Sequence, residues 1–513
     1  MKRVFLATLL AATVAAPILA GCISPAGTSI ASSPEPLVIP PDWATTALPW
    51  GNGHDHRDWS QHTGLSTANF KELGYDPLFT DYYNKTAGGY YCGGGMRTSE
   101  DRRLAVVSSF TTGVAFVLVD VTDPAHPEKV GEYVLTRTMD YDVDITPDGK
   151  HVVIAADVST GERAPSANLP LLAASERVQP MFRDACTNEL RLAGPERDLP
   201  LWPSTILVGI QDPRNPTLED VAPAPVIGPH SVSTARVHDK VWVASSTTNL
   251  VHQVSYFEFF QVVETPVGGK LVLQSIVDSG QYGATAISNG HVDAEIAEHP
   301  VTHHMVAYLS NWDGGLVILD LEIPQAPTLL STWIDKGTDG GVIHSTRSVQ
   351  GLWDGKHYVL AGQEFVRHPT GRPSGWVYVI DDTDPTHPKE VARWTLPVNV
   401  DPSWGGIELF STHYFRIIDR TLFVAMYHGG LWAVDLSGVP NVKAPPSIGV
   451  FVPDQRAPKG PPAVGTYAYA PFVLDVFPYP DYHVVIFDGL SGAYSLQFDP
   501  TNPAPSPPPW PVP

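Results

Sequence analysis

Gly113-Val-Ala-Phe-Val-Leu-Val-Asp-Val-Thr-Asp-Pro-Ala-His-Pro127 decides the fold. An apolar run opened by Gly and closed by Asp leads into a proline-punctuated turn, and the polar stretch Glu128–Val134 follows. β-Branched and aromatic residues in a run this short suit a buried strand. The Asp-Pro turn forbids helix on either flank. The run returns as Ile206–Asp212, Gly315–Asp320, Gly375–Asp381, Gly430–Asp435 and Gly492–Asp499, with a degenerate copy in Val254–Val263. Three copies also keep the turn: Asp212–Pro216, Ile323–Pro327 and Thr383–Pro388.

A second apolar strand precedes each run: Leu104–Ser108, Val152–Ala156, Val241–Ser245, Met305–Ser310, Tyr358–Gly362, Leu422–Tyr427 and Val484–Phe487. A more polar strand precedes that one. Each unit is therefore four strands, A to D, with the quoted run as strand C. Such a unit recurring about every 50–60 residues is a propeller blade. The expected fold is all-β, a seven-bladed β-propeller of four-stranded antiparallel blades over 89–500, with a long insertion at 159–203. The Pro-rich tail 501–513 follows the last C strand and cannot supply its outer partner. An N-terminal segment between about Pro36 and Tyr91, a span that includes the arm 42–88, is expected to do so or to cover the gap.

Composition agrees. The 513 residues include 43 Gly, 50 Pro, 13 Trp, 19 Tyr and 18 Phe, against helical bundles and coiled coils. The hydrophobic share of 43% excludes global disorder. A net charge of -22 argues against a nucleic-acid partner, which would need a basic face.

The N-terminus reads as a targeting segment. Lys2 and Arg3 precede an apolar run, Val4–Ile18, and then Leu19-Ala20-Gly21-Cys22. This run is too short for an ordinary membrane span and fits an export signal. Residues 1–22 resemble a lipoprotein signal peptide with a lipobox, in which Cys22 becomes the lipidated N-terminus. The expected location is extracytoplasmic, anchored to the membrane by lipid. Residues 23–41, rich in Ser, Pro, Ala and Gly, read as a flexible tether. The remaining cysteines, Cys92 and Cys186, form either one disulfide or two separate thiols.

The quoted runs resemble the LVIVD repeat family over most of residues 88–500. The segments "VDVTDPAHPEKVGEY" and "VIDDTDPTHPKEVARW" carry the likeness most clearly. It implies a β-propeller in an extracytoplasmic setting and implies no activity.

Candidate ligands come from the A strands, which line a propeller's axis. They begin Asp140-Tyr-Asp142, Pro229-His230, Gly290-His291, Ile343-His344 and Thr412-His413. Aligned from their starts, four blades place a histidine at one step and a fifth places Asp142 there. The B–C loops of the same face add Asn311-Trp312-Asp313, Gln363-Glu364 and Tyr427-His428. Neutral imidazoles converging on an axis suit a transition metal such as copper or zinc. The expected ligands are His230, His291, His344, His413 and His428, with Asp142, Asp293 and Glu408 holding their tautomers. The same histidines can instead tie neighbouring blades together through their ring N–H groups. A second candidate lies in the arm, where His54, His56 and His62 stand among aspartates.

"STHYF" followed by "VAMYHGGLWAVD" is similar to the late blades of selenium-binding protein, the methanethiol oxidase. That likeness implies a copper-type oxidoreductase and carries over no catalytic residue. No phosphate loop, dinucleotide fingerprint or GxSxG elbow is present. Two readings follow: a binding or scaffold propeller for a protein, glycan or small ligand, or a metal-dependent oxidoreductase.

Overall fold

The structure is a computed structural model. It describes residues 66–78, 96–99, 103–108, 115–134, 139–157, 181–183, 190–192, 204–223, 229–249, 254–283, 293–335, 342–364, 375–396, 411–453, 472–489 and 491–503. All of these belong to one compact unit, Leu37–Pro513. The signal and tether segments lie outside the described residues.

Seven four-stranded antiparallel sheets form the body. Blade one is β2 (Met96–Ser99), β3 (Leu104–Ser108), β4 (Phe116–Asp120) and β5 (Glu128–Tyr133). Blade two is β6 (Met139–Ile145), β7 (His151–Asp157), β10 (Ser204–Gly209) and β11 (Thr217–Pro223). The insertion between β7 and β10 carries a small hairpin, β8 (Met181–Arg183) and β9 (Leu190–Leu192). Blade three is β12 (Pro229–Val237), β13 (Lys240–Asn249), β14 (Val254–Thr265) and β15 (Gly268–Asp278). Blade four is β16 (Ala294–Glu298), β17 (Met305–Ser310), β18 (Leu316–Asp320) and β19 (Thr328–Trp333). Blade five is β20 (Val342–Ser348), β21 (Tyr358–Glu364), β22 (Val377–Asp381) and β23 (Lys389–Trp394). Blade six is β24 (Phe415–Ile418), β25 (Thr421–Ala425), β26 (Leu431–Asp435) and β27 (Ser447–Phe451). Blade seven is β28 (Val473–Pro478), β29 (His483–Asp488), β30 (Gly492–Phe498) and, from the N-terminal side, β1 (Phe70–Asp76).

Each A strand touches the next, from β2 through β6, β12, β16, β20 and β24 to β28, and β28 touches β2. The ring is therefore closed. The B and C strands are almost wholly buried because both of their faces pack on neighbouring blades; every residue of β17 is buried. This explains their continuous apolar runs. Outer strands such as β19 keep exposed and half-buried positions.

The Asp that closes each run has a structural task. Asp120 Oδ1 accepts from Thr122 N at 2.8 Å, Asp320 Oδ1 from Glu322 N at 2.8 Å, and Asp435 Oδ1 from Ser437 N at 2.7 Å. These Asx turns end strand C and start the return. The turn then packs beneath the outer strand of the preceding blade. A Cβ at Gly131 would lie 1.9 Å from Pro213 O, so only glycine fits there.

The arm completes the last blade. β1 runs antiparallel to β30, from Phe70 opposite Phe498 to Asp76 opposite Ala493. Thr67 N donates to Val450 O of blade six at 2.8 Å, and Lys129 N of blade one donates to Asp76 Oδ2 at 3.0 Å. One strand thus joins three blades. Among the described residues, helix is limited to a 3-10 turn, Ser279–Tyr282, and no helix can cross a membrane.

Candidate metal site on the propeller axis

Most described A strands begin with a β-bulge. Asp140 pairs with Ala156 and Asp142 with Ala155, leaving Tyr141 as the extra residue. The same skip falls at His230 between Pro229 and Ser231, at His344 between Ile343 and Ser345, and at Leu474 between Val473 and Asp475. In blade six His413 and Tyr414 both bond Ala425 across the ladder, at 3.0 and 2.9 Å. A bulge bends its strand and re-aims the extra side chain. Tyr141, His230, His344, His413 and Leu474 thus share one step. Asp142 falls one step later, with Ser231, Ser345 and Tyr414, which corrects the alignment counted from strand starts.

The bulges bring His344 and His413 together beside Glu364, the last residue of β21. A ligand atom from each lies within 4.8 Å of the others, and all three residues are buried. His344 Nε2 stands 3.6 Å from Glu364 Oε2. His413 Nδ1 donates to Leu474 O at 2.6 Å, the carbonyl of the next blade's bulge. That bond selects the tautomer whose Nε2 offers a lone pair. Burial lowers the His413 pKa to about 4, with His344 adding to the shift, so the ring is neutral at physiological pH. Burial raises the Glu364 pKa, while His413 and the Tyr427 hydroxyl oppose it. Tyr427 donates that hydroxyl to Glu364 Oε1.

Aromatic rings hold these groups in place. The His344 and His413 ring centroids are 4.7 Å apart. Tyr414 packs edge-on against both, at 5.4 and 4.5 Å, and Tyr427 covers His413 at 4.7 Å. Two B–C loops of identical design fix the bulges. Trp312 and Tyr427 take left-handed backbone, φ 51 and 48, and the glycine pairs Gly314-Gly315 and Gly429-Gly430 follow. From that turn Trp312 bridges to Ile343, and Tyr427 to Val473, on the next A strand.

Other candidates fall elsewhere. His230 is half-buried and His428 is buried against Phe472 at 5.1 Å, and both stand outside the His344–Glu364–His413 group. Asp142 accepts from Ser231 Oγ at 2.8 Å and from the Tyr414 hydroxyl at 3.3 Å. Asp293 pairs with the Arg347 guanidinium. Both carboxylates are engaged in these contacts. Cys22, His54, His56, His62, Cys92, Cys186, His291 and Glu408 lie outside the described residues. Sequence reasoning named Glu364 only as a loop residue. Its neighbour Gln363 and its place at the end of a B strand were the available signals.

A second buried group, His299, His357 and Asp382, is tied into the frame, with His357 Nδ1 and Asp382 Oδ1 left without a hydrogen-bond partner among the described residues. His299 Nδ1 accepts from Val301 N and Thr302 N at 3.3 and 3.2 Å, and its Nε2 meets Asp382 O at 3.0 Å. His357 Nδ1 lies 2.8 Å from Asp382 Oδ1, and Tyr308 donates to Asp382 Oδ2 at 2.7 Å. This cluster locks blade four to blade five.

A two-imidazole, one-carboxylate set in which His413 is neutral with a fixed tautomer suits a divalent transition metal and leaves coordination positions open. The fold and site define a seven-bladed β-propeller with a histidine–carboxylate group on its axis. No family model and no curated protein matches the chain. A functionally unknown protein from Desulfotomaculum acetoxidans DSM 771 is similar over 71% of this chain and 93% of its own, at 14% identity and TM-score 0.40. Saccharomyces cerevisiae Sqt1 is similar over 84% of this chain and 99% of its own, at 11% identity and TM-score 0.45.

Proposed function

We propose that the chain is an exported, lipid-anchored binding propeller of LVIVD-repeat type that holds zinc or copper on His344, His413 and Glu364. The observation that carries the metal reading is the buried convergence of these three side chains, with His413 presenting a neutral Nε2. Nitrogen and oxygen donors of this kind favour a borderline ion such as Zn2+ or Cu2+ over softer Cu+. The lipobox at Cys22 supports the anchor, and the repeat supports the propeller's use as a platform. A protein, glycan or small ligand would sit on the face bearing the B–C loops, where the metal has open positions.

Elemental analysis of untagged protein, purified without chelator, tests the site. We expect close to one equivalent of zinc or copper in the wild type and little in His413→Ala or Glu364→Ala. Equal metal in wild type and variants would overturn the assignment.

Tyr414 and Tyr427 pack against the His413 ring, and this favours a second reading as a metal-dependent oxidoreductase. A redox-active copper centre, seen as an electron paramagnetic resonance signal lost on reduction, would select that reading. Zinc alone would reject it.

A further inference from the structure

Two residues beyond the Tyr414 step, the A strands surround a cavity of about 160 Å³. Its wall takes one residue at the same level from each of six blades: Asp144, Ser233, Glu295, Arg347, Arg416 and Phe477. Ring order gives this wall a direction. The acids belong to blades two and four, and the arginines to blades five and six. In a closed ring of seven, blade two faces the junction of blades five and six. Asp144 therefore stands across the axis from both guanidinium groups.

The charges are held by the frame. Asp144 accepts from Ile145 N at 2.8 Å and Thr234 N at 2.6 Å, which keeps its carboxylate on the wall. Glu295 accepts from Ser348 N in the same manner two seams further on. Arg347 is ion-paired to Asp293, and Arg416 donates to Phe415 O at 2.8 Å. Burial raises the Glu295 pKa to about 7, so near neutral pH it can donate or accept a hydrogen bond. Arg416 and Asp144 stand on opposite sides of the cavity, with Arg347 beside the first and Glu295 on the acidic side. The wall is dipolar, and it is nearly neutral overall.

We propose that this axial cavity binds a small zwitterion of amino-acid size, its carboxylate towards Arg416 and Arg347 and its ammonium group towards Asp144 and Glu295. Size sets the limit: the space equals about five waters at roughly 30 Å³ each, below the usual 300–1,000 Å³ of drug-sized pockets. Guanidinium forks suit a carboxylate, and carboxylates suit an ammonium group. A dianion would meet Asp144, and a diamine would meet the arginines.

Calorimetric titration of the full exported chain against single L-amino acids, succinate and putrescine tests the proposal. We expect saturable one-to-one binding of at least one amino acid, weakened about tenfold or more in Arg416→Gln, with succinate and putrescine much weaker. Prior chelator treatment should leave this binding unchanged, which separates it from the metal site. Should Arg416→Gln fail to fold, a crystal of the wild type soaked with the best amino acid replaces it, with density expected on the axis between blades two and six. No amino-acid binding, equal binding of succinate, an unaffected variant or density elsewhere would each overturn the proposal.

Discussion

Tyr414 of blade six donates its hydroxyl to Asp142 of blade two at 3.3 Å, joining residues 272 apart in sequence across the propeller axis. Asp142 also accepts from Ser231 Oγ and Val232 N of blade three. The phenol ring packs edge-on against His344 and His413. One side chain therefore spans the axis, supports the candidate ligands, and lies at the step before the dipolar cavity.

Tyr414→Phe should cost about 1 kcal/mol, the usual net worth of one hydrogen bond, because Asp142 keeps its other donors. Tyr414→Ala should cost about 3–5 kcal/mol through the cavity it leaves beside the imidazoles. Denaturant midpoints of the two variants check the order. Equal losses would show that the ring contributes nothing beyond its hydroxyl.

Tyr427→Phe removes the donor that orients Glu364 and leaves all three proposed ligands in place. Supporting groups of this kind are worth about 10- to 100-fold in metal affinity. Competition with a chromophoric chelator measures the change. Unaltered affinity would remove Tyr427 from the site.

Glu295 gives stability a defined pH dependence. Burial raises its carboxyl pKa from 4.5 to about 7, with Arg347 opposing the shift and Asp293 adding to it. The folded state therefore binds the proton more tightly than the unfolded chain. The resulting stabilisation is complete below about pH 4.5 and is lost as pH rises through about 7. Glu295→Gln should flatten this slope, so the variant gains on the wild type between pH 5 and 8. Parallel slopes in unfolding experiments would refute it.

Closure by the arm is open to a backbone test. A Cβ at Gly74 would lie 2.5 Å from Pro127 Cδ and 2.7 Å from Pro124 O. Gly74→Ala should destabilise by about 1–3 kcal/mol, as overpacking does. Removing residues through 78 should expose the β30 edge and cause aggregation, readable by light scattering.

Cys22→Ser should move the protein from the membrane fraction to the soluble exported fraction. Retention in the membrane would reject the lipid anchor.

The blade plan was legible because it repeats. Seven apolar runs, each preceded by another apolar strand and ended by Asp or a Pro turn, report burial on both faces, which is a local property of each strand. The outer strand from the arm was legible only as a need, since proline after Asp499 leaves β30 without a partner downstream. Its identity as Phe70–Asp76 depended on the ladder it forms with β30 and on Thr67 reaching Val450.

Sequence by itself determined the propeller class, the strand order within each blade and the histidines at the A-strand entrances. These follow from hydrophobic period and turn chemistry, which act between neighbours in the chain. Only the tertiary structure decided which of those histidines meet. A one-residue bulge shifts a side chain to another step, so Asp142 left the imidazole register and joined Tyr414. Glu364 reached His344 through the β20–β21 ladder of its own blade, and His413 because adjacent blades present strand B of one beside strand A of the next. Arg347, Arg416, Asp144 and Glu295 share one level for the same reason: ring closure brings together residues that no sequence spacing relates.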